Sequence, residues 1–293
     1  MIIKNKILER VYPSDISKSG MFVIPDGITK IGASAFYDCS NLTSVIIPDS
    51  VTRIGSGAFY HCLNLASVII GGGVTSIGDH SFDTCIKLTS IVIPDNVVEI
   101  EAHVFEDCIN LTSVTIGKGV ICIGHYAFYH CANLTSITIP DSVTDIGYNA
   151  FDECTNLTSA TIGRGVKIIG EDAFLRTPLK SVRKNYKAFR PQSDGGLVCR
   201  TKPYNVGEKA SVKGVLKICE NGIHYCTNLF EIFNYYHGEY GKDFVICECE
   251  VSKEQMGGGR RSSKRCARWI IPQRILSREE VIEILNGGGS AEK

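Results

Sequence analysis

Apolar residues recur at a fixed interval over the first three-fifths of the chain. Phenylalanines stand at Phe36, Phe59, Phe82, Phe105, Phe128, Phe151 and Phe174, and every interval is 23 residues. Three residues after the first six come Cys39, Cys62, Cys85, Cys108, Cys131 and Cys154. Three further on stand Leu42, Leu65, Leu88, Leu111, Leu134 and Leu157. An uninterrupted period of this length predicts a solenoid, in which each unit is one turn of a coil and buries its apolar face only against its neighbours.

Within a unit, Leu42, Val45 and Ile47 have the spacing of a short strand that alternates between core and solvent. Pro recurs at 25, 48, 94 and 140 and Gly at 71, 117 and 163, where each predicted strand ends. A second apolar set, Val51 and Ile54, follows, and then Gly55 ahead of the Ala-Phe pair that fills the interior. At roughly 4.8 Å per turn, seven phenylalanines predict a core about 30–35 Å long. The last unit decays, with Thr177 in the cysteine register and Leu179 one residue early. The phrases Ile-Pro-Asp-Ser-Val-Thr-x-Ile-Gly and Ala-Phe-x-x-Cys-x-Asn-Leu-Thr-Ser-Val resemble the BspA-like (Treponema-type) leucine-rich repeats over residues 22–182. The resemblance implies a leucine-rich-repeat solenoid that binds proteins, in a family whose members are often surface adhesins.

The period vanishes at Arg183. Residues 183–196, with Pro191 and Gly195-Gly196, read as a linker, and 197–286 as a small α+β domain. Leu216–Cys219 is strand-like, and Asp243–Val251 alternates, with Val245, Cys247, Cys249 and Val251 on one face. Asn228-x-x-Glu231 and Ser277-x-x-Glu280 are helix starts. This segment resembles a small uncharacterised domain of bacterial and phage proteins, through Tyr186-Lys187-Ala188-Phe189, Leu197-Val198-Cys199-Arg200 and Gly222-Ile223-His224-Tyr225-Cys226. The expected fold class is therefore an α/β-type leucine-rich-repeat solenoid with a parallel β-sheet, plus a small α+β domain. Its parts are a cap at 1–21, the solenoid at 22–182, the linker, the domain and a tail at 287–293.

Composition narrows the function. The chain has 293 residues, 44% hydrophobic and 21% charged, so a core is available. No run reaches the ~18 apolar residues of a membrane span. Met1–Ser14 lacks the continuous apolar stretch of a signal peptide, and thirteen cysteines without one predict reduced thiols and a cytoplasmic protein. Net charge is zero, but residues 1–182 hold 12 Lys+Arg against 18 Asp+Glu and the remainder 19 against 13, so the halves carry −6 and +6.

The candidate partner-binding residues are the outward strand positions Ile46, Ile69, Val92, Thr115, Thr138 and Thr161, an apolar stripe continued by a threonine stripe. The expected partner is a protein. Nucleic acid is a second candidate, for the glycine-led basic loop with Arg260, Arg261, Lys264, Arg265 and Arg268. The six repeat cysteines read as packing, since a buried thiol behaves as a small hydrophobe. His80 and His103 share a register on adjacent turns, where a carboxylate such as Asp107 would complete a metal site, but they read as a wet surface pair. Cys219, His224, Cys226, Cys247 and Cys249 have zinc-ligand chemistry without a finger spacing. His224, Tyr235 or Tyr236, and Glu248 or Glu250 follow the His…Tyr…Glu order of one ADP-ribosyltransferase pattern and are the catalytic candidates of an alternative, effector-like enzyme. There is no P-loop, no dinucleotide glycine fingerprint and no H-E-x-x-H. The expectation is a non-enzymatic interaction scaffold, a regulator or inhibitor of a host protein, with no metal and no cofactor.

Overall fold

A computed structural model describes residues 1–179 and, beyond them, 186–191, 197–199, 202–204, 210–211, 223–226, 245–251, 255–257, 264–267 and 269–286. The chain divides into two compact units, Met1–Val166 with Asp172–Leu179 and Lys167–Glu171 with Lys180–Lys293.

The first unit is a β-solenoid of 23-residue turns, and each turn has three sides. The first side is the strand expected after the conserved-spacing leucine position, running from Met21–Val23 and Ser44–Ile47 to Ser159–Thr161. These strands pair in parallel at a register of 23, Ser44 with Ser67, Ser90 with Ser113 and Ser136 with Ser159. They form three successive ladders of three, two and two strands. The second side is a two-residue strand, from Lys30–Ile31 to Asp145–Ile146, stacked turn upon turn in one sheet. An antiparallel hairpin, Ile2–Lys4 with Ile7–Arg10, covers the leading edge of that sheet by pairing Leu8 with Ile31. Its turn residues Asn5 and Lys6 have φ of 48° and 62°, as a two-residue hairpin loop requires.

The third side carries no helix. It holds two residues per turn in the left-handed region, one in the register of Ser34, Gly57, His80, His103, Tyr126, Asn149 and Asp172 and one in that of Asp38, His61, Thr84, Asp107, His130, Glu153 and Arg176, with φ between 53° and 62°. That geometry turns alternate amides along the solenoid axis. The N–H groups of Ser34, Phe36 and Asp38 donate to the carbonyls of Ser56, Ala58 and Tyr60 on the next turn, while those of Ala35, Tyr37 and Cys39 close turns within their own. Left-handed non-glycine residues cost on the order of 1–3 kcal/mol each; here the strain is offset by hydrogen bonds for amides that would otherwise be buried unpaired.

Inside, the seven phenylalanines form one file, with ring centroids 4.7–5.5 Å apart and planes within 19° of parallel. The cysteine ladder beside it is buried and free of disulfides. Each thiol donates to a carbonyl of the preceding turn, Cys62 to Phe36 at 3.0 Å, Cys85 to Phe59 at 3.3 Å and Cys108 to Phe82 at 3.2 Å. Burial pushes the Cys62 thiol up to about 12 and holds Cys85, Cys108, Cys131 and Cys154 well above the ordinary thiol range. At Thr177 the ladder ends: its hydroxyl donates to Phe174 within its own turn, at 2.8 Å.

The alternation of Pro and Gly after the front strand has a physical cause. The carboxylates of Asp49, Asp95 and Asp141 on the proline turns accept from the amides of Gly72, Lys118 and Arg164 on the glycine turns, at 2.7–2.8 Å. The backbones then lie so close that a Cβ on Gly71, Gly117 or Gly163 would sit 2.2–2.6 Å from the backbone of the proline turn before it, and one on Gly73, Gly119 or Gly165 would sit 1.9 Å from an aspartate carbonyl oxygen.

In the second unit the described strands form an antiparallel sheet, in the order 210–211, 269–275, 245–251, 186–191, 223–226, 264–267 and 255–257, with 197–199 paired to 186–191 and 202–204 paired to 197–199. The helix Arg278–Leu285 starts at the expected capping box: Glu280 N–H donates to Ser277 Oγ at 3.1 Å and Ser277 N–H to Glu280 Oε2 at 2.6 Å. The stretch read as a linker contains the strand Tyr186–Pro191, whose residues pair from Tyr186 with Glu248 to Phe189 with Val245. Pro191, part of what suggested a linker, is the last residue of this strand and pairs with Leu197 of the antiparallel Leu197–Cys199, and Gly195-Gly196 lies outside the described residues. The strand Val245–Val251 is where the alternation placed it, and Ile246, on the face opposite the one read as apolar, is buried. Leu216–Cys219, the helix start at Asn228 and the tail 287–293 lie outside the described residues.

Candidate functional site

The outward positions of the front strands run along the solenoid in one file. Ile69 is 58% exposed and Val92 61%, while Ile46 is half-buried. The apolar part begins one turn earlier than expected, at Val23, which is 52% exposed and pairs with Ile46. Thr115, Thr138 and Thr161 continue the file and are exposed. The strand interior explains this order: Val45, Val68, Ile91, Ile137 and Ala160 fill the core, so the residue after each must point outward. Ser44, Ser67 and Ser90 flank the file with short side chains that leave the sheet approachable.

Where the ladder is interrupted between Ser113–Thr115 and Ser136–Thr138, a cleft of about 650 Å³ opens, lined by Val114, Thr115, Lys118, Thr138 and Asp141 among others. Two of the six candidate residues thus border a recess that the repeat period alone does not reveal.

The third side displays the other concentration of chemistry. Rings follow one another along it: Tyr37 on Tyr60 at 5.6 Å, Tyr60 near His80 at 6.3 Å, His80 on His103 at 4.4 Å, His103 on Tyr126 at 4.9 Å and Tyr126 against Tyr148 at 5.3 Å. Four histidines are held by carboxylates through Nδ1: His61 by Asp38 at 3.0 Å, His80 by Asp83 at 2.8 Å, His103 by Glu106 at 2.5 Å and His130 by Asp107 at 2.6 Å. The carboxylates at the His80–His103 pair are therefore Asp83 and Glu106, each three residues on from its own histidine, and Asp107 serves His130 on the following turn. The buried Asp152 is matched by Arg176, whose Nε donates to it at 3.0 Å, and Arg176 also pairs with Glu153. These carboxylates raise the Arg176 guanidinium above its ordinary range.

In the second unit, His224 lies on the strand Ile223–Cys226 and Glu248 and Glu250 on Val245–Val251; both strands pair with Tyr186–Pro191, one on each side. Cys226, Cys247 and Cys249 are on the same two strands, and Cys219, Tyr235 and Tyr236 lie outside the described residues. The basic segment is not wholly a loop. Lys264 and Arg265 belong to the strand Lys264–Ala267, which pairs with Ile223–Cys226 and with Gln255–Gly257. Arg260, Arg261 and Arg268 lie outside the described residues. Among the described residues no helix is long and apolar enough to cross a membrane.

Residues 14–91 and 75–189 match the family described as BspA type leucine rich repeat region, in six copies. Residues 183–284 match a domain of unknown function, DUF7666. No curated protein matches. Among solved structures, the chain is similar to the T. pallidum leucine-rich repeat protein TpLRR, with 29% identity, 55% of this chain and 66% of that one covered and a TM-score of 0.41. It is also similar to a leucine-rich repeat protein from Bacteroides ovatus, with 24% identity, 58% and 52% covered and a TM-score of 0.45. A leucine-rich cell surface protein from Faecalibacterium prausnitzii gives 28% identity, 62% and 54% covered and a TM-score of 0.39. The chain thus spans about two thirds of the first of these and about half of the other two.

Proposed function

The chain belongs to the BspA-type leucine-rich repeat family, and from that premise we propose that it is a non-enzymatic binding scaffold that holds a protein partner on the front strands. The observation that carries the reading is the outward file Val23, Ile46, Ile69 and Val92, in which Ile46 is half-buried and the other three are exposed. Four β-branched or aliphatic side chains at strand spacing make a ridge about 15 Å long. Contiguous apolar surface of this kind is more favourable covered than wet. The threonines beyond it supply hydroxyls, and the cleft beside Thr115 and Thr138 accepts an inserted side chain. The surface is therefore directional, apolar at one end and polar at the other, which suits a folded partner with a matching gradient. A regulator or inhibitor acts by this means when the surface it occupies is one its target needs.

The test is affinity capture from the native host with the full chain, compared with the double variant Ile69→Asp, Val92→Asp. Burial of each side chain stabilises a complex by about 1.5 kcal/mol or more, so the loss is expected to exceed about 100-fold in affinity. The control is Val98→Asp, Ile121→Asp, which places the same charges at exposed apolar positions away from the front strands; its partner recovery is expected to stay at the parent level. Equal recovery by both double variants would remove the reading.

A further inference from the structure

The third side of the solenoid contains a cluster that the scaffold role does not use. We propose that His80, His103 and Glu106 bind a divalent late first-row transition-metal ion, such as zinc. One ligand atom from each lies within 4.8 Å of the others. Two imidazoles and a carboxylate are a donor set that suits zinc and leaves a coordination position open for water.

The site is built by consecutive turns. In the left-handed register shared by Ser34, Gly57, His80, His103, Tyr126, Asn149 and Asp172, His occurs twice, on adjacent turns. At the position three residues on, the same two turns carry Asp83 and Glu106, where the others have Tyr37, Tyr60, Tyr129, Asp152 and Leu175. Two successive His-x-x-Asp/Glu units are thus brought together by the 23-residue period.

Support comes from the shell beneath. The Asp83 side chain is only 9% exposed; its Oδ2 lies 2.8 Å from His80 Nδ1, and its Oδ1 accepts from Thr84 at 2.7 Å. A buried carboxylate on Nδ1 fixes the proton there and presents Nε2 as the donor to a metal, the arrangement that second-shell carboxylates impose on metal-binding histidines. The two rings now stack at 4.4 Å with planes 7° apart. Convergence on one ion requires them to fan apart by side-chain rotation. Both are accessible to solvent, with side chains 47% and 29% exposed. Glu106, now against His103 Nδ1, exchanges that contact for the ion.

The experiment is a titration of the tag-free full chain with Co²⁺, followed by its visible absorption and reversed with Zn²⁺. The expected result is saturation at one equivalent in the parent chain and loss of that signal in His80→Asn, His103→Asn. Asparagine is compatible with the backbone, because Asn149 occupies this register with φ of 53°; an unchanged melting temperature of the metal-free variant checks that it folds. Glu106→Gln, which leaves both rings in place, is expected to weaken binding as well, and Asp83→Asn to weaken it by about 10–100-fold. Failure of the parent chain to bind, or binding in the double histidine variant equal to the parent's, would overturn the proposal. The second of these results would direct attention to the cysteines of the second unit.

Discussion

At the scale of single residues, close approach of backbones decides which substitutions matter. Gly72 and Gly119 both occupy the Gly-x-Gly segments, yet a Cβ on Gly72 finds its nearest neighbour at 3.8 Å and one on Gly119 at 1.9 Å. We expect Gly119→Ala to destabilise the solenoid by about 2–3 kcal/mol, in the range of overpacked cores, and Gly72→Ala to change it little; urea denaturation of the two variants measures the difference. The sequence displays both glycines with equal prominence. Which of them is indispensable depends on the path of the neighbouring chain at Asp95, and that is a fact of stacking. The same holds for Thr84, a β-branched residue with φ of 58°: nothing in its immediate sequence signals a left-handed backbone.

At the scale of elements, the thiol ladder and the terminal helix give measurable consequences. Burial favours the protonated thiol in the folded chain, with Cys62 raised to about 12 and Cys122 to about 11 from an ordinary 9.0. The unfolded chain therefore releases these protons first. The contribution to stability is complete below pH 9 and is lost as pH rises through 11 and 12. A pH series of denaturation midpoints is expected to fall across that window, and iodoacetamide at pH 8 is expected to leave the six ladder cysteines unmodified in the native protein, as peptide mapping by mass spectrometry would show. In the helix Arg278–Leu285, Ser277→Ala removes the cap accepted from Glu280 and is expected to cost about 1 kcal/mol, read from the second unit's unfolding transition. The capping box was legible because its hydrogen bonds span three residues. The strand Tyr186–Pro191 was not: its partners, from Val245 to Glu248, are distant in sequence, and its alternation is short enough to be masked by the Pro at its end and the Gly pair that follows.

At the scale of the whole first unit, stability is passed from turn to turn. The Phe file, the Cys-to-carbonyl bonds and the asparagine bonds, such as Asn133 to Asn110 at 3.0 Å, all join immediate neighbours. Damage at one level is therefore local, and the ends are the vulnerable places. The hairpin Ile2–Lys4 with Ile7–Arg10 covers Lys30–Ile31; a chain starting at residue 12 leaves that parallel edge open to pairing with other molecules. It is expected to melt at a lower temperature and to associate, which light scattering at increasing concentration detects.

Period, alternation and turn residues determined the coil, its 23-residue step, the inward file of phenylalanines and the outward file from Ile46 to Thr161. Each of these follows from interactions between a residue and its near neighbours or its own copies one turn away, and such regularities are written into the chain as spacing. Tertiary structure alone decided that Glu106 rather than Asp107 stands by His103, that the apolar file begins at Val23, that a cleft opens beside Thr115 and that Tyr186–Pro191 joins a sheet. Those outcomes depend on side-chain direction, ladder interruptions and pairing across long sequence separations, where small differences in backbone angle select among partners that spacing leaves equivalent.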